Sequence, residues 1–274
     1  VDEFVDQAEK KLFEISQNKK RSGFVSTGEL ATETIKIIEG LTTRKMAITG
    51  IASGFKKLDK MTAGFQNSDL VIIAARPGMG KTSFSLNIVM HAGLTHGLKV
   101  GFFSLEMAKE QLMMRMLSAK SKINFGKVRT GFLSDSEFQK TVDAAESLQK
   151  AHIYIDDTPA LTSLDLRSRT RRLKSDKGLD ILIVDYLQLM RGHSRTDNRE
   201  REIAEISLSL KALAKELKIP IIAISQLSRQ TEARTDKKPQ LSDLRESGAL
   251  EQDADMVIFL HRADAYKRIA DERD

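Results

Sequence analysis

The sequence of 274 residues predicts an α/β fold, a mainly parallel sheet covered by helices on both faces. Two observations carry that prediction. From about Thr49 onward, short β-rich apolar runs alternate with longer helical ones. One of those runs then ends in a glycine-rich turn that leads directly into a helix, "IIAARPGMGKTSF" at residues 72–84. Strands that are apolar throughout have no polar face to offer to water, so both faces must be covered, as in parallel sheets. Ligands in such folds bind beyond the carboxyl ends of the strands.

Composition limits the classes open to the chain. Hydrophobic residues make up 41% and charged residues 30%, which excludes a disordered chain. No apolar run reaches the roughly 18 residues of a membrane helix, and no signal peptide opens the sequence. Cysteine is absent, so disulfides and thiolate metal sites are excluded and a cytoplasmic setting fits. The formal net charge of +6 is compatible with nucleic acid without demonstrating it.

The elements follow in order. Two amphipathic helices come first, with Val5, Ala8, Leu12 and Ile15 on one and Leu30, Thr34, Ile37 and Leu41 on the other. The polar "SQNKKRSGFVSTG" between them reads as a linker. Helices this short make no core of their own, so residues 1–48 are expected to dock elsewhere, at least one helix on another subunit. Residues 49–274 form the main domain. "LVIIAA" is a buried strand followed by a helix from Lys81. "KVGFFSLE" is a strand followed by the helix "KEQLMMRMLSAK". "HIYIDD" precedes the helix "SLDLRSRTRRLK", in which Leu164 and Leu173 are expected on the buried side. "LDILIVDYLQLM" is the next strand. Ile203, Ile206, Leu210, Leu213 and Leu217 then stripe a long helix, and "PIIAISQL" and "ADMVIFLHR" complete the series.

The turn after the first of these strands is the phosphate-loop pattern G-x-x-x-x-G-K-[ST], with Ala75 in place of its first glycine. Gly78 and Gly80 let successive backbone N–H groups curl inward toward phosphate oxygens. The helix N-terminus points its positive end at the same place. The nucleotide-binding stretch is therefore Arg76, Pro77, Gly78, Met79, Gly80, Lys81, Thr82 and Ser83. Lys81 reaches the β- and γ-phosphates of ATP, and the Thr82 hydroxyl binds Mg²⁺. Alanine suits position 75 if the chain is extended there. Asp185, after four apolar residues in "ILIVDY", supplies the second magnesium-side group, as a Walker B strand would.

Hydrolysis also needs a group that orients or deprotonates water. Spacing leaves two candidates at strand ends, Glu106 in "FFSLEM" and Asp156 or Asp157 in "IYIDD". Gln226 in "IAISQLSR" ends a further strand, where its amide either senses the γ-phosphate or bonds to a loop. Arg167, Arg169, Arg171 and Arg172 suggest a basic patch, although a solvated helix face accounts for them as well, and the same holds for Lys56 and Lys57. The five histidines share no face and no metal spacing.

Several segments resemble, in order, the signature stretches of the DnaB family of bacterial replicative DNA helicases: "AARPGMGKT", "FSLEM", "IVDYLQLM", "EIAEISLSLKALAKEL", "SQLSR" and "DLRESGALEQDAD". The resemblance runs from about Thr49 to the C-terminus, and the N-terminal helices look like the family's inter-domain linker. "ARP" before the loop is usual there, and Gly78 stands where serine is common. The resemblance implies a RecA-like ATPase core in a homo-hexamer around single-stranded DNA, moving 5′ to 3′. It favours Glu106 as the catalytic carboxylate beside Lys81 and makes Gln226 the link between γ-phosphate and DNA. It also makes "DLRESGALEQDAD" a DNA-facing loop carrying Arg245, Glu246 and Gly248, where backbone contacts to phosphate position a strand without reading it. Primase and a helicase loader are the implied partners. The chain ends at "RIADERD", just before the family's basic finger, and the domain is expected to be C-terminally truncated. Two rivals share part of the pattern: a recombinase coating DNA as a filament, and a binding module with little turnover.

Overall fold

The computed structural model describes residues 24–44, 48–191, 199–228, 231–232, 234 and 237–264, with backbone only at 43–44 and 245–249. The chain divides into two units, Val1–Ala47 and Ile48–Asp274. In the first unit, helix α1 spans Thr27–Arg44. It starts inside the stretch read as linker, because the Ser26 hydroxyl accepts a hydrogen bond from the Glu29 N–H and caps it. Leu30, Ile37 and Leu41 are exposed along this helix. The helix expected around Val5–Ile15 lies outside the described residues.

The second unit is built on six parallel strands: β1 Leu70–Ala75, β2 Val100–Ser104, β3 Ile153–Asp156, β4 Ile181–Asp185, β5 Ile221–Gln226 and β6 Met256–Phe259. Their spatial order is β3-β2-β4-β5-β1-β6. Side chains alternate across the sheet. In β1, Leu70, Ile72 and Ala74 enter one core, and Val71 and Ile73 enter the other.

The first core is closed by three helices: α7 (Ser163–Asp176), α8 (Arg199–Leu217) and α9 (Gly248–Asp253). Ile203, Ile206, Leu210 and Leu213 of α8 supply much of it. The second is closed by α3 (Lys81–Met90), α4 (Lys109–Ser121) and α6 (Asp135–Gln149), through Ile88, Leu112, Met116 and Leu148 among others. Two short helices, α2 (Lys56–Thr62) and α5 (Phe125–Thr130), complete the described set. Layers of this kind satisfy the expected α/β class.

Four details differ from the expectation. Helices α5 and α6 fill a stretch for which the sequence reading gave no element. The fourth strand ends at Asp185, and residues Leu187–Leu189 form a 3₁₀ turn rather than continuing the strand; the Asp185–Tyr186 peptide bond is cis. In α7 Leu166 and Thr170 are buried and Leu173 packs against the core, while Leu164 is exposed: at about 3.6 residues per turn, positions nine apart lie on opposite sides of a helix, so Leu164 and Leu173 do not share a face. Finally, two histidines do share a face. A π turn at His91–Thr95 follows α3, and His91 and His96 meet with Nε2 atoms 3.3 Å apart. The wider π turn, with its i→i+5 bonding, brings positions five apart toward the same side.

Candidate active site

Strand β1 delivers the chain to the loop at residues 76–80, and α3 begins immediately after it. Gly78 and Gly80 have φ of 77° and 93°, in the left-handed region that side-chain-bearing residues avoid. A Cβ at either position would meet nothing within 4 Å, so conformation and not crowding calls for glycine there. Ala75 is still in β1, paired with Gln226, so its extended backbone needs no glycine. Its carbonyl accepts from the Leu227 N–H at 3.2 Å and from Lys81 Nζ at 3.2 Å. Burial lowers the pKa of Lys81, Asp185 and Glu106 pull it back up, and Arg76 adds to the lowering.

Asp185 ends β4 with 2% of its surface exposed. The Thr82 hydroxyl donates to its Oδ2 at 2.7 Å, while its Oδ1 is buried with no hydrogen-bond partner. Burial pushes this carboxyl above the usual range; the Thr82 hydrogen bond and Lys81 oppose that, and Glu106 adds to it. A buried carboxylate oxygen without a donor is costly, and a cation or its water would satisfy it. A hydroxyl and a carboxylate are the hard oxygen donors that Mg²⁺ takes, alongside phosphate oxygens and water. Among the described residues no group of three or more His, Cys, Asp or Glu side chains could hold a metal ion unaided. Thr82 and Asp185 therefore fit a magnesium ion that arrives with a nucleotide.

Glu106 follows β2, the strand beside β4. Ser104 pairs with Asp185, and the Leu105 N–H donates to the Asp185 carbonyl at 2.7 Å, which fixes the turn that presents Glu106. Glu106 is exposed and close enough to Lys81, Asp185 and Tyr186 to perturb all three. The competing carboxylates sit at the edge strand β3. Asp156 accepts from Arg169 at 2.8 Å and from the Thr158 N–H at 2.9 Å, and Asp157 accepts from the Lys109 N–H at 3.1 Å.

Other expected residues are placed as follows. Arg76 opens the expected nucleotide-binding stretch, and its side chain bonds away from the loop. Its Nε donates to Glu232 at 2.7 Å and its Nη1 to the Leu227 carbonyl at 2.7 Å, so only its backbone faces the loop. The loop's tight turn sends this long side chain toward the exit of β5. Pro77 is exposed, Met79 is buried and Ser83 is exposed on the first turn of α3. Gln226 is the last residue of β5. The segment expected as a DNA-facing loop is helical instead: a 3₁₀ turn at Leu241–Ser247 runs into α9. The backbone of Arg245, Glu246 and Gly248 lies at that junction, and the side chains of Arg245 and Glu246 lie outside what the structure describes.

The arginine patch resolves into ion pairs. Arg167 and Arg171 both bond to Glu216, Arg169 to Asp156, and Arg172 lies 3.5 Å from Asp176. Lys56 and Lys57 are exposed on α2. Sequence reasoning missed two contacts at this site: the turn of Arg76 toward Leu227, and a clasp by Gln188 on the end of β5. No local pattern marks either, because both join segments far apart in the chain.

A strand, a glycine turn and a helix whose Thr82 hydroxyl meets the carboxylate that ends a nearby parallel strand define a RecA-like P-loop domain. Residues 50–274 match the family described as the DnaB-like helicase C terminal domain, and the chain belongs to that family. It is 48% identical over 275 residues to the replicative DNA helicase DnaB of Geobacillus stearothermophilus, and 47% identical to the replicative DNA helicase DnaC of Bacillus subtilis (strain 168). Both alignments cover 100% of this chain and 61% of the relative, so the chain spans about three-fifths of their length. Among solved structures, the ATPase domain of G40P superposes with a TM-score of 0.83 at 39% identity, covering 90% of this chain and 87% of that one. A DnaB-like replicative helicase, solved with its interactions with primase in view, superposes with a TM-score of 0.78 at 36% identity, covering 96% of this chain and 63% of that one. Among the described residues no helix is long and apolar enough to cross a membrane.

Proposed function

We propose that this domain is the motor of an ATP-dependent replicative DNA helicase. The observation that carries the reading is the Thr82–Asp185 hydrogen bond of 2.7 Å beside an unpartnered buried Asp185 oxygen, at the foot of the phosphate loop. Backbone N–H groups of Gly78, Gly80 and Lys81 cradle the phosphates of ATP, and Lys81 Nζ leaves the Ala75 carbonyl to neutralise the β- and γ-phosphates. Thr82 and Asp185 hold Mg²⁺, which when bound neutralises charge across the phosphates. Glu106 accepts a proton from the attacking water, and its position beside β4 supports that role over Asp156 and Asp157, which are already engaged. Gln226 senses the γ-phosphate from the neighbouring strand end.

In the intact protein, ATP lies between copies in a homo-hexamer, and hydrolysis changes how each copy grips its neighbour and a central single strand. Arg245, Glu246 and Gly248 contact that strand, with travel 5′ to 3′. Residues 1–48 dock on a neighbouring copy. A basic finger from a neighbour completes the ATP site, and such fingers contribute on the order of 10³–10⁵ in rate. Primase and a loader are the partners at a replication fork in the cytoplasm. The family match and the relatives' names support this reading over a filament-forming recombinase.

The test is DNA-stimulated ATP hydrolysis and strand displacement by the intact protein and its Glu106→Gln variant. The variant should bind ATP but turn over about 10²–10⁴-fold more slowly. Near-normal turnover would move the role to the Asp156–Asp157 pair. A wild type indifferent to both ATP and single-stranded DNA would end the helicase reading.

A further inference from the structure

Strand β5 has unequal neighbours at its carboxyl end. On one side it stays paired with β1 as far as Ala75 and Gln226. On the other, its pairing with β4 stops at Val184 and Ala223, because β4 ends at Asp185 and the chain leaves the sheet. In a strand, the N–H and C=O of one residue point to the same side, and those of the next residue point to the other. The Leu227 N–H bonds to the Ala75 carbonyl on the β1 side, so the N–H and C=O of Gln226 face the side where β4 is missing. Both groups need partners, since unpaired backbone groups away from water are costly.

One side chain supplies both. The Gln188 amide nitrogen donates to the Gln226 carbonyl at 3.2 Å and to the Ser225 hydroxyl at 2.9 Å. Its amide oxygen accepts from the Gln226 N–H at 3.2 Å. A carboxamide carries one acceptor and two donors, so it mimics the missing strand residue. Gln188 is itself held: it sits in the 3₁₀ turn three residues after Asp185, and its carbonyl accepts from Arg199 Nη2 at 2.7 Å.

We infer that Gln188 is a positioning residue, a side-chain extension of the sheet that couples the strand end carrying Asp185 to the backbone from which Gln226 projects. This rests on reading Gln226 as the γ-phosphate sensor. The amide clasp joins the turn that follows Asp185 to the backbone of Gln226. Removing the clasp leaves Gln226 anchored on one side only. Its amide then samples positions around the productive one, and misplacement of about 1 Å can cost on the order of 10²-fold in rate.

The experiment compares Gln188→Met, Gln226→Ala and the double variant in the intact protein. It measures DNA-stimulated kcat, affinity for a fluorescent ATP analogue, and melting temperature. Gln188→Met should lower kcat by roughly tenfold to a hundredfold and leave nucleotide affinity within about twofold, because Lys81 and Thr82 are untouched. In the Gln226→Ala background the same change should cost nothing further, since residues acting as one unit are non-additive. Gln188→Glu keeps the acceptor but loses the donor, so it should show a smaller loss that is again absent without Gln226. A folded Gln188 variant with wild-type kcat, or losses that multiply with that of Gln226→Ala, overturns the inference. Failure of both Gln188 variants to fold also overturns it, by making the residue purely structural. If Gln226→Ala itself turns over normally, the sensor reading fails and Gln188 falls with it; if Gln226→Ala is slow and the Gln188 variants are not, only the present inference fails.

Discussion

At the scale of single residues, position 75 shows how conformation outranks pattern. The phosphate-loop consensus asks for glycine there, but Ala75 lies inside a strand with extended backbone, and alanine is at home in it. Gly78 and Gly80 are different, because their positive φ excludes ordinary side chains. Lys81 is held in a half-buried place by a single carbonyl hydrogen bond. Lys81→Ala should therefore abolish tight ATP binding in a calorimeter, and unchanged affinity would contradict the site as drawn. Asp185 is buried with one oxygen unsatisfied, so its charge costs stability that only a bound cation recovers. Asp185→Asn should leave the melting temperature without nucleotide unchanged or raised near neutral pH, while removing the magnesium dependence of ATP binding. A drop of several degrees would show that the carboxylate has a structural role instead. Lys81, Thr82, Asp185 and Glu106 were legible as candidates because each is tied to a strand end by local sequence. The direction of Arg76 and the clasp by Gln188 were not, because each is set by a partner far along the chain.

At the scale of elements, α8 was the most legible. Its stripe at spacings of three and four becomes a buried face, with Ile206 and Leu210 essentially without exposure. Ile206→Ala should cost about 3 kcal/mol, read from the urea midpoint with an unchanged slope, as for other buried large-to-small changes. A loss under about 1 kcal/mol would mean that the face repacks freely around the cavity. Helix α6 went unread although its start carries a capping box, in which Ser134 and Glu137 satisfy each other's backbone N–H groups. Only Ala144 and Leu148 of this helix are buried, and Phe138 is exposed, so few core residues mark it in the sequence. The overlong reading of β4 has a similar cause: "DYLQLM" is apolar enough to extend a strand, but a turn back toward β5 ends it. Periodicity reports burial, and burial alone does not say where a strand stops pairing.

At the scale of the whole molecule, the electrostatics make an acid-sensitive fold. Asp156, Asp243 and Asp255 are raised by burial, but hydrogen bonds and cations outweigh it and hold them below the usual range; Arg171 and then Arg167 outweigh burial to do the same for Glu216. A carboxylate with a lowered folded-state pKa contributes stability above its unfolded pKa and loses it as pH falls through the folded value. Asp69 and Asp185 are raised and act in the opposite sense, but they are fewer. Urea midpoints should fall between about pH 4.5 and pH 2, and a flat profile across that window would refute the ion-pair account. The sequence by itself determined the class of the fold, the phosphate loop and the strand-end carboxylates, because hydrophobic period and glycine placement are written within a few neighbouring residues. Only the tertiary structure decided where Arg76 reaches and what holds Gln226, because strand order and long-range hydrogen bonds join residues that no local pattern connects.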